Sequence, residues 1–175
     1  MKTRTYYYFV FLTVLITLTT GLTGKIKPSP ENFDKYARSL IKRSIPIIKP
    51  TELAGEIAIK KNILILDTRE LVEFKVSRIP GAQYVGYKTF DLDKMSEVPK
   101  DAPIIVYCSL GARSEIIGLK LKQAGFDNVK NLYGGIFNWV NKGFGVVNQK
   151  NKHTFKIHAY STKWGKWLFK GKKVY

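Results

Sequence analysis

Ile104-Ile105-Val106-Tyr107-Cys108-Ser109-Leu110-Gly111-Ala112-Arg113-Ser114 is the stretch on which the reading of this chain turns. Its first four residues are apolar and mostly β-branched, and they predict a short buried strand. Ser114 suits a helix N-cap, and Glu115 complements the helix start. Ile116, Ile117, Leu119, Leu121 and Ala124 then predict an apolar helical face, with Lys120 and Lys122 turned outward. Gly125 stands where a glycine ends a helix, and Phe126 can supply the hydrophobic contact that accompanies such an ending. The only cysteine of the chain, Cys108, therefore falls between the C-terminal end of a strand and the N-terminus of a helix. In open α/β sheets that crevice is where ligands bind.

The position implies a chemistry. Backbone N–H groups from Ser109 to Arg113 can curl toward the sulfur, and Gly111 permits the backbone angles that such a turn needs. The helix dipole and Arg113 add positive potential, which favours a thiolate over a thiol. The same cradle would hold a terminal sulfur or an oxyanion attached to the cysteine. An inert buried cysteine is the plain alternative, because free cysteines are among the most buried residues.

Four stretches together resemble the rhodanese family of single-domain sulfurtransferases. They are Leu66-Asp67-Thr68-Arg69-Glu70, Ile79-Pro80-Gly81-Ala82, the loop from Cys108 to Ser114, and Leu132-Tyr133-Gly134-Gly135-Ile136-Phe137-Asn138-Trp139. They occur in the family's order and at its usual spacing. The resemblance implies an α/β, rhodanese-like three-layer fold with a mainly parallel central sheet flanked by helices. It also implies Cys108 as the catalytic residue and Ser109, Leu110, Gly111, Ala112, Arg113 and Ser114 as the substrate-binding loop. Asp67 and Arg69 are expected in support, as an ion pair or loop hydrogen bonds. Ser77-Arg78 departs from the family's usual glycine-histidine and leaves the role of Arg78 open.

The implied activity moves sulfane sulfur from a thiosulfate-like donor to a thiol or cyanide acceptor through a Cys108 persulfide, with no cofactor and no metal. Two other classes remain. A cysteine phosphatase or arsenate reductase cradles its oxyanion in C-x5-R, whereas Cys108 to Arg113 is C-x4-R, a narrower mouth. A non-catalytic binding module at the cell envelope is the other, although such modules typically lack the cysteine.

The flanks differ from this core. Residues 62–142 carry eleven Lys and Arg against nine acids, whereas residues 143–175 carry eight lysines and no acid. Lys2 and Arg4 precede an uncharged, largely apolar run, so residues 1–24 read as a signal peptide or an uncleaved anchor. Export follows, to the periplasm or to a membrane anchor facing it. Residues 25–46 read as a linker and an N-terminal helix, with Phe33, Tyr36, Ala37, Leu40 and Ile41 at helical spacing between Asn32 and Arg43. Residues 47–144 form the rhodanese-like domain.

Residues 145–175 are a basic, aromatic extension with Phe155, Tyr160, Trp164, Trp167, Phe169 and Tyr175. So many aromatic residues predict a docked element rather than a free tail. With every candidate site residue outside it, the extension is expected to stabilise the domain and to change small-donor chemistry little. Contact with an anionic membrane surface or with a protein partner is its functional alternative. Nucleic acid is a poor match for an exported protein, and His153 and His158 lack the further ligands that a metal site needs.

Overall fold

The computed structural model describes residues 26–59 and 62–175; the expected signal or anchor segment, residues 1–24, lies outside the described residues. The central sheet is built from β1 (Ile47–Ile48), β2 (Leu64–Asp67), β3 (Gln83–Tyr84), β4 (Ile104–Tyr107) and β5 (Val129–Leu132). All neighbours are parallel, in the order β1-β5-β4-β2-β3. β4 is in the middle, and its four residues are all buried. This is why its sequence reads as a continuous apolar run instead of an alternating one.

The helices α2 (Pro50–Ile59), α3 (Leu71–Val76), α4 (Ala112–Gln123) and α5 (Gly135–Asn141) connect or follow these strands, and α1 (Phe33–Ser39) precedes them. Two apolar clusters form, one containing Ile65, Ile105, Leu132 and Phe137, the other containing Leu66, Val106, Ile117 and Leu121. Alternate residues of β2 and β4 supply the two clusters, so the sheet is covered on both faces.

Two helices differ from their expected form. α4 begins at Ala112, not after Ser114, because Gly111 takes a left-handed conformation (φ 106°) as the residue before the helix. Ser114 is thus inside the first turn. Only part of the expected apolar face is covered: Ile117 and Leu121 are buried, while Ile116 is 46% and Leu119 36% exposed. The helix ends as expected, in a Schellman motif. Phe126 N–H donates to Leu121 O at 3.1 Å and Gly125 N–H to Lys122 O at 3.0 Å, with Phe126 buried.

The N-terminal helix stops at Ser39, short of Arg43. Beyond it, the Glu115 carboxylate accepts the backbone N–H groups of Lys42 and Ser44, both at 2.7 Å. Arg43 between them adopts φ 58°, which a continuing helix would not allow. Glu115 therefore ties this connection to α4 besides complementing the helix start.

Residues 145–175 pack on the domain. β6 (Val146–Val147) pairs antiparallel with β7 (His153–Thr154), and β8 (Lys156–His158) pairs with β9 (Lys172–Val174), with α6 (Thr162–Gly165) between them. Ile157, Ala159, Trp167 and Leu168 belong to the same apolar cluster as Phe33, Ala37 and Phe137. Trp167 stacks on Tyr36, ring centroids 3.8 Å apart and nearly parallel at 8°. The two flanks of the domain thus form one aromatic layer.

Arg78 joins the extension to the domain. Its N–H donates to Val147 O at 2.8 Å, and Val147 N–H returns a bond to Arg78 O at 2.9 Å. Its guanidinium lies over the Phe74 ring and donates to Asn151 Oδ1 at 2.6 Å.

Candidate active site

Cys108 follows the last residue of β4, at the C-terminal edge of the sheet. The chain leaves β2 toward β3 on one side and β4 toward β5 on the other. Loops that diverge in this way open a crevice between them. The Cys108 sulfur accepts a hydrogen bond from Gly111 N–H at 3.1 Å. Cys108, Ser109, Leu110, Ala112 and Arg113 line a cavity of about 120 Å3. A roomier cavity of about 470 Å3 lies against α1 and α5, lined by Phe33, Lys49 and Tyr133 among others, but no cysteine lines it.

The loop is fixed from behind. Ile136 N–H donates to Cys108 O at 2.9 Å, and Phe137 N–H to Ser109 O at 3.1 Å, so the start of α5 holds both carbonyls. That approach requires Gly135, where a Cβ would overlap the Cys108 carbonyl. Asn131, buried in β5, donates from Nδ2 to Gly111 O at 2.9 Å and accepts from Ser114 Oγ at 2.7 Å. Ser114 is thus a buried strut behind the loop and is not among the residues that line the cavity.

Arg113 is not a free cation. Its Nη1 and Nη2 form a fork on the Glu73 carboxylate, at 2.7 and 2.9 Å. Ser109 Oγ bridges the same pair, 3.0 Å from Glu73 Oε1 and 3.0 Å from Arg113 Nη2. Glu73 also accepts the Glu70 N–H at 2.9 Å, in a capping box that starts α3. Burial opposes the Glu73 charge, but the hydrogen bonds and charge of Arg113, with help from Arg69, outweigh it and hold the carboxyl below its ordinary range. Burial likewise opposes the Arg113 charge, and the Glu73 hydrogen bonds and the fields of Cys108 and Glu73 outweigh it, so the guanidinium stays charged.

Asp67 and Arg69 are fully buried and pair with each other, Arg69 Nη2 to Asp67 Oδ2 at 2.6 Å. Tyr107 OH donates to Asp67 Oδ2 at 2.6 Å, and Arg69 Nη2 donates to Ser77 O at 2.6 Å. They tie β2, β4 and the chain after α3 together beneath the loop, and neither lines the cavity.

Four contributors escape a sequence reading. Glu73 and Asn131 left weak signals, an acid three residues after Glu70 and a polar residue inside a buried strand. Tyr160 and Trp164 left none. They come from the C-terminal extension, yet they complete the lining of the Cys108 cavity. The Tyr160 ring lies over the Arg113 guanidinium, 4.8 Å from it. The extension therefore touches the site that it was expected to leave alone.

Fold and site define a class: a parallel α/β domain with its single cysteine on the loop between the central strand and the following helix. Residues 49–142, more than half of the chain, match the rhodanese-like domain, and the chain belongs to that family. A sulfurtransferase of Allochromatium vinosum is 34% identical over 100 residues, which cover 57% of this chain and 92% of that protein. A tRNA uridine(34) hydroxylase of Protochlamydia amoebophila is 33% identical over 99 residues, 53% of this chain but 31% of that protein. The solution structure of a rhodanese-like domain from Anabaena superposes with a TM-score of 0.55 at 24% identity, over 59% of this chain and 80% of that one. The latter likeness is one of fold.

Proposed function

We propose that the protein is a sulfurtransferase that carries sulfur as a persulfide on Cys108. The observation that carries this reading is the sole cysteine facing a small cavity, its sulfur already holding a backbone N–H from its own loop. The Cys108 thiolate attacks the outer sulfur of a thiosulfate-like donor. A sulfur–sulfur bond forms to Cys108, the donor's own sulfur–sulfur bond breaks, and sulfite leaves with the electron pair. A thiolate or cyanide acceptor then attacks the outer sulfur of the persulfide and releases the Cys108 thiolate. No net oxidation occurs across the cycle, so no redox partner is needed.

The Gly111 N–H, which donates to the sulfur, stabilises negative charge there. Arg113 adds a positive pole whose orientation Glu73 and Ser109 hold. The sulfurtransferase among the relatives supports the reading. The pattern of residues 1–24 supports export as part of it.

Intact-mass spectrometry of the full chain with and without thiosulfate tests the proposal. One added sulfur, removed by cyanide, is expected in the wild type and not in Cys108→Ser, whose melt stays at the wild-type value. A Cys108→Ser variant that turned over thiosulfate and cyanide like the wild type would overturn it.

A further inference from the structure

The mouth of the Cys108 cavity is not made by the domain alone. Tyr160 and Trp164, from the extension, line it together with Ser109, Leu110 and Ala112. Both are held from several sides. Tyr160 adopts φ 63°, a left-handed conformation that bulky residues rarely take and that concentrates at functional sites. Its N–H donates to His158 Nδ1 at 3.1 Å, and its ring is pinned over Arg113. Ser161 caps α6 by accepting the Trp164 N–H at 3.4 Å. The Trp164 ring meets Tyr160 edge-on at 6.4 Å and Tyr36 at 6.2 Å. Tyr160 is 48% exposed, so the aromatic wall that it makes with Trp164 stands on the solvent side of the cavity.

The aperture is small. A volume of about 120 Å3 is well below the roughly 300–1,000 Å3 of pockets that hold drug-sized ligands. Donors of equal charge meet the same Arg113–Glu73 pair, so size is what separates them there. We infer that Tyr160 and Trp164 are specificity-determining residues that admit slender, compact sulfane-sulfur donors to Cys108 and reject donors whose sulfur is carried on a bulky organic group. The inference rests on the sulfurtransferase reading and adds the selection rule to it.

Methanethiosulfonate and benzenethiosulfonate anions test the rule. They carry the same charge and the same reacting sulfur, and both release a sulfinate, but one bears a methyl group and the other a phenyl ring. Loading of Cys108 in the full chain is followed by intact mass, and each rate is divided by that donor's rate with free cysteine. The wild type is expected to load from the methyl donor at least about tenfold faster than from the phenyl donor. In Tyr160→Ala/Trp164→Ala that preference should fall at least about fivefold, whereas Tyr160→Phe, which keeps the ring, should hold it within about twofold.

Equal normalised rates in the wild type overturn the aperture, whether or not the double variant folds. So does a folded double variant, or a folded Trp164→Leu, that keeps the wild-type preference. Persulfide formation in those cases leaves the sulfurtransferase reading standing. No added sulfur from either donor in the wild type overturns the selection rule, and no added sulfur from thiosulfate either overturns the sulfurtransferase reading with it.

Discussion

Residues 62–142 nearly balance their charges, whereas residues 143–175 hold eight lysines and no acid. The two regions also hold their residues in place by different means. The domain uses buried polar networks: Asp67 with Arg69 and Tyr107, Glu73 with Ser109 and Arg113, Asn131 with Ser114 and Gly111. The extension, with no carboxylate of its own, uses backbone ladders and aromatic packing and leaves its lysines largely in water. The domain thus orients charge around the sulfur, and the extension shapes the space in front of it. A basic tail need not act through its charge.

The comparison breaks if the extension is not bound by its aromatic layer. Trp167→Ala removes the ring that stacks on Tyr36 and should cost about 4 kcal/mol of stability, in the range for deleting a large buried aromatic. Chemical denaturation measures it. A loss under about 1 kcal/mol would show that the layer holds little.

Within the domain, Glu73→Ala leaves the largely buried Arg113 charge unpaired, at a cost of about 3 kcal/mol. The Cys108 loop should also load sulfur more slowly, as the fork that orients Arg113 is gone. Denaturation and single-turnover loading measure the two effects, and an unaltered loading rate would mean that Arg113 does not serve the sulfur. The wild-type pair has its own pH signature. The Glu73 carboxyl is depressed in the folded protein, so its stabilisation is present above about pH 4.5 and is lost as pH falls through the folded value.

Arg78→Ala sharpens the picture of how the two regions are joined. It deletes the hydrogen bond to Asn151 and the contact with Phe74 but leaves the backbone bridge to Val147. A loss of about 1–2 kcal/mol is expected, and hydrogen exchange should rise first in residues 146–154. Uniform exchange across the domain would contradict a joint confined to that seam.

The smallest effect expected is that of His158. Burial lowers its pKa from the ordinary 6.5, Glu73 resists, and Arg69 and Arg113 add to the lowering. The unfolded chain then takes up the proton more readily, so stability present above pH 6.5 falls as pH drops through the folded value. Protonation also removes the Nδ1 acceptor of the Tyr160 N–H. Thermal melts at about pH 7.5 and 5.5 should show a larger drop for the wild type than for His158→Gln.

Much of the domain is legible locally. The run Ile104–Tyr107 is a strand because its residues are branched, apolar and uninterrupted, and the Gly125-Phe126 pair ends α4 because only that backbone geometry satisfies its last carbonyls. The place of Cys108, the candidate nucleophile, between the two follows from the same local rules. Ser114 shows where local rules stop. Its cap propensity was overridden by Gly111, and its hydroxyl bonds Gly111 O and Asn131 of β5. The pairing of Glu73 with Arg113, the joint at Arg78 and the aromatic aperture all join residues distant in sequence. Periodicity tells which side of an element is apolar, but which element covers it depends on how the whole chain closes. For that reason the sequence alone determined where the single cysteine and its loop lie, and only the tertiary structure decided what surrounds them.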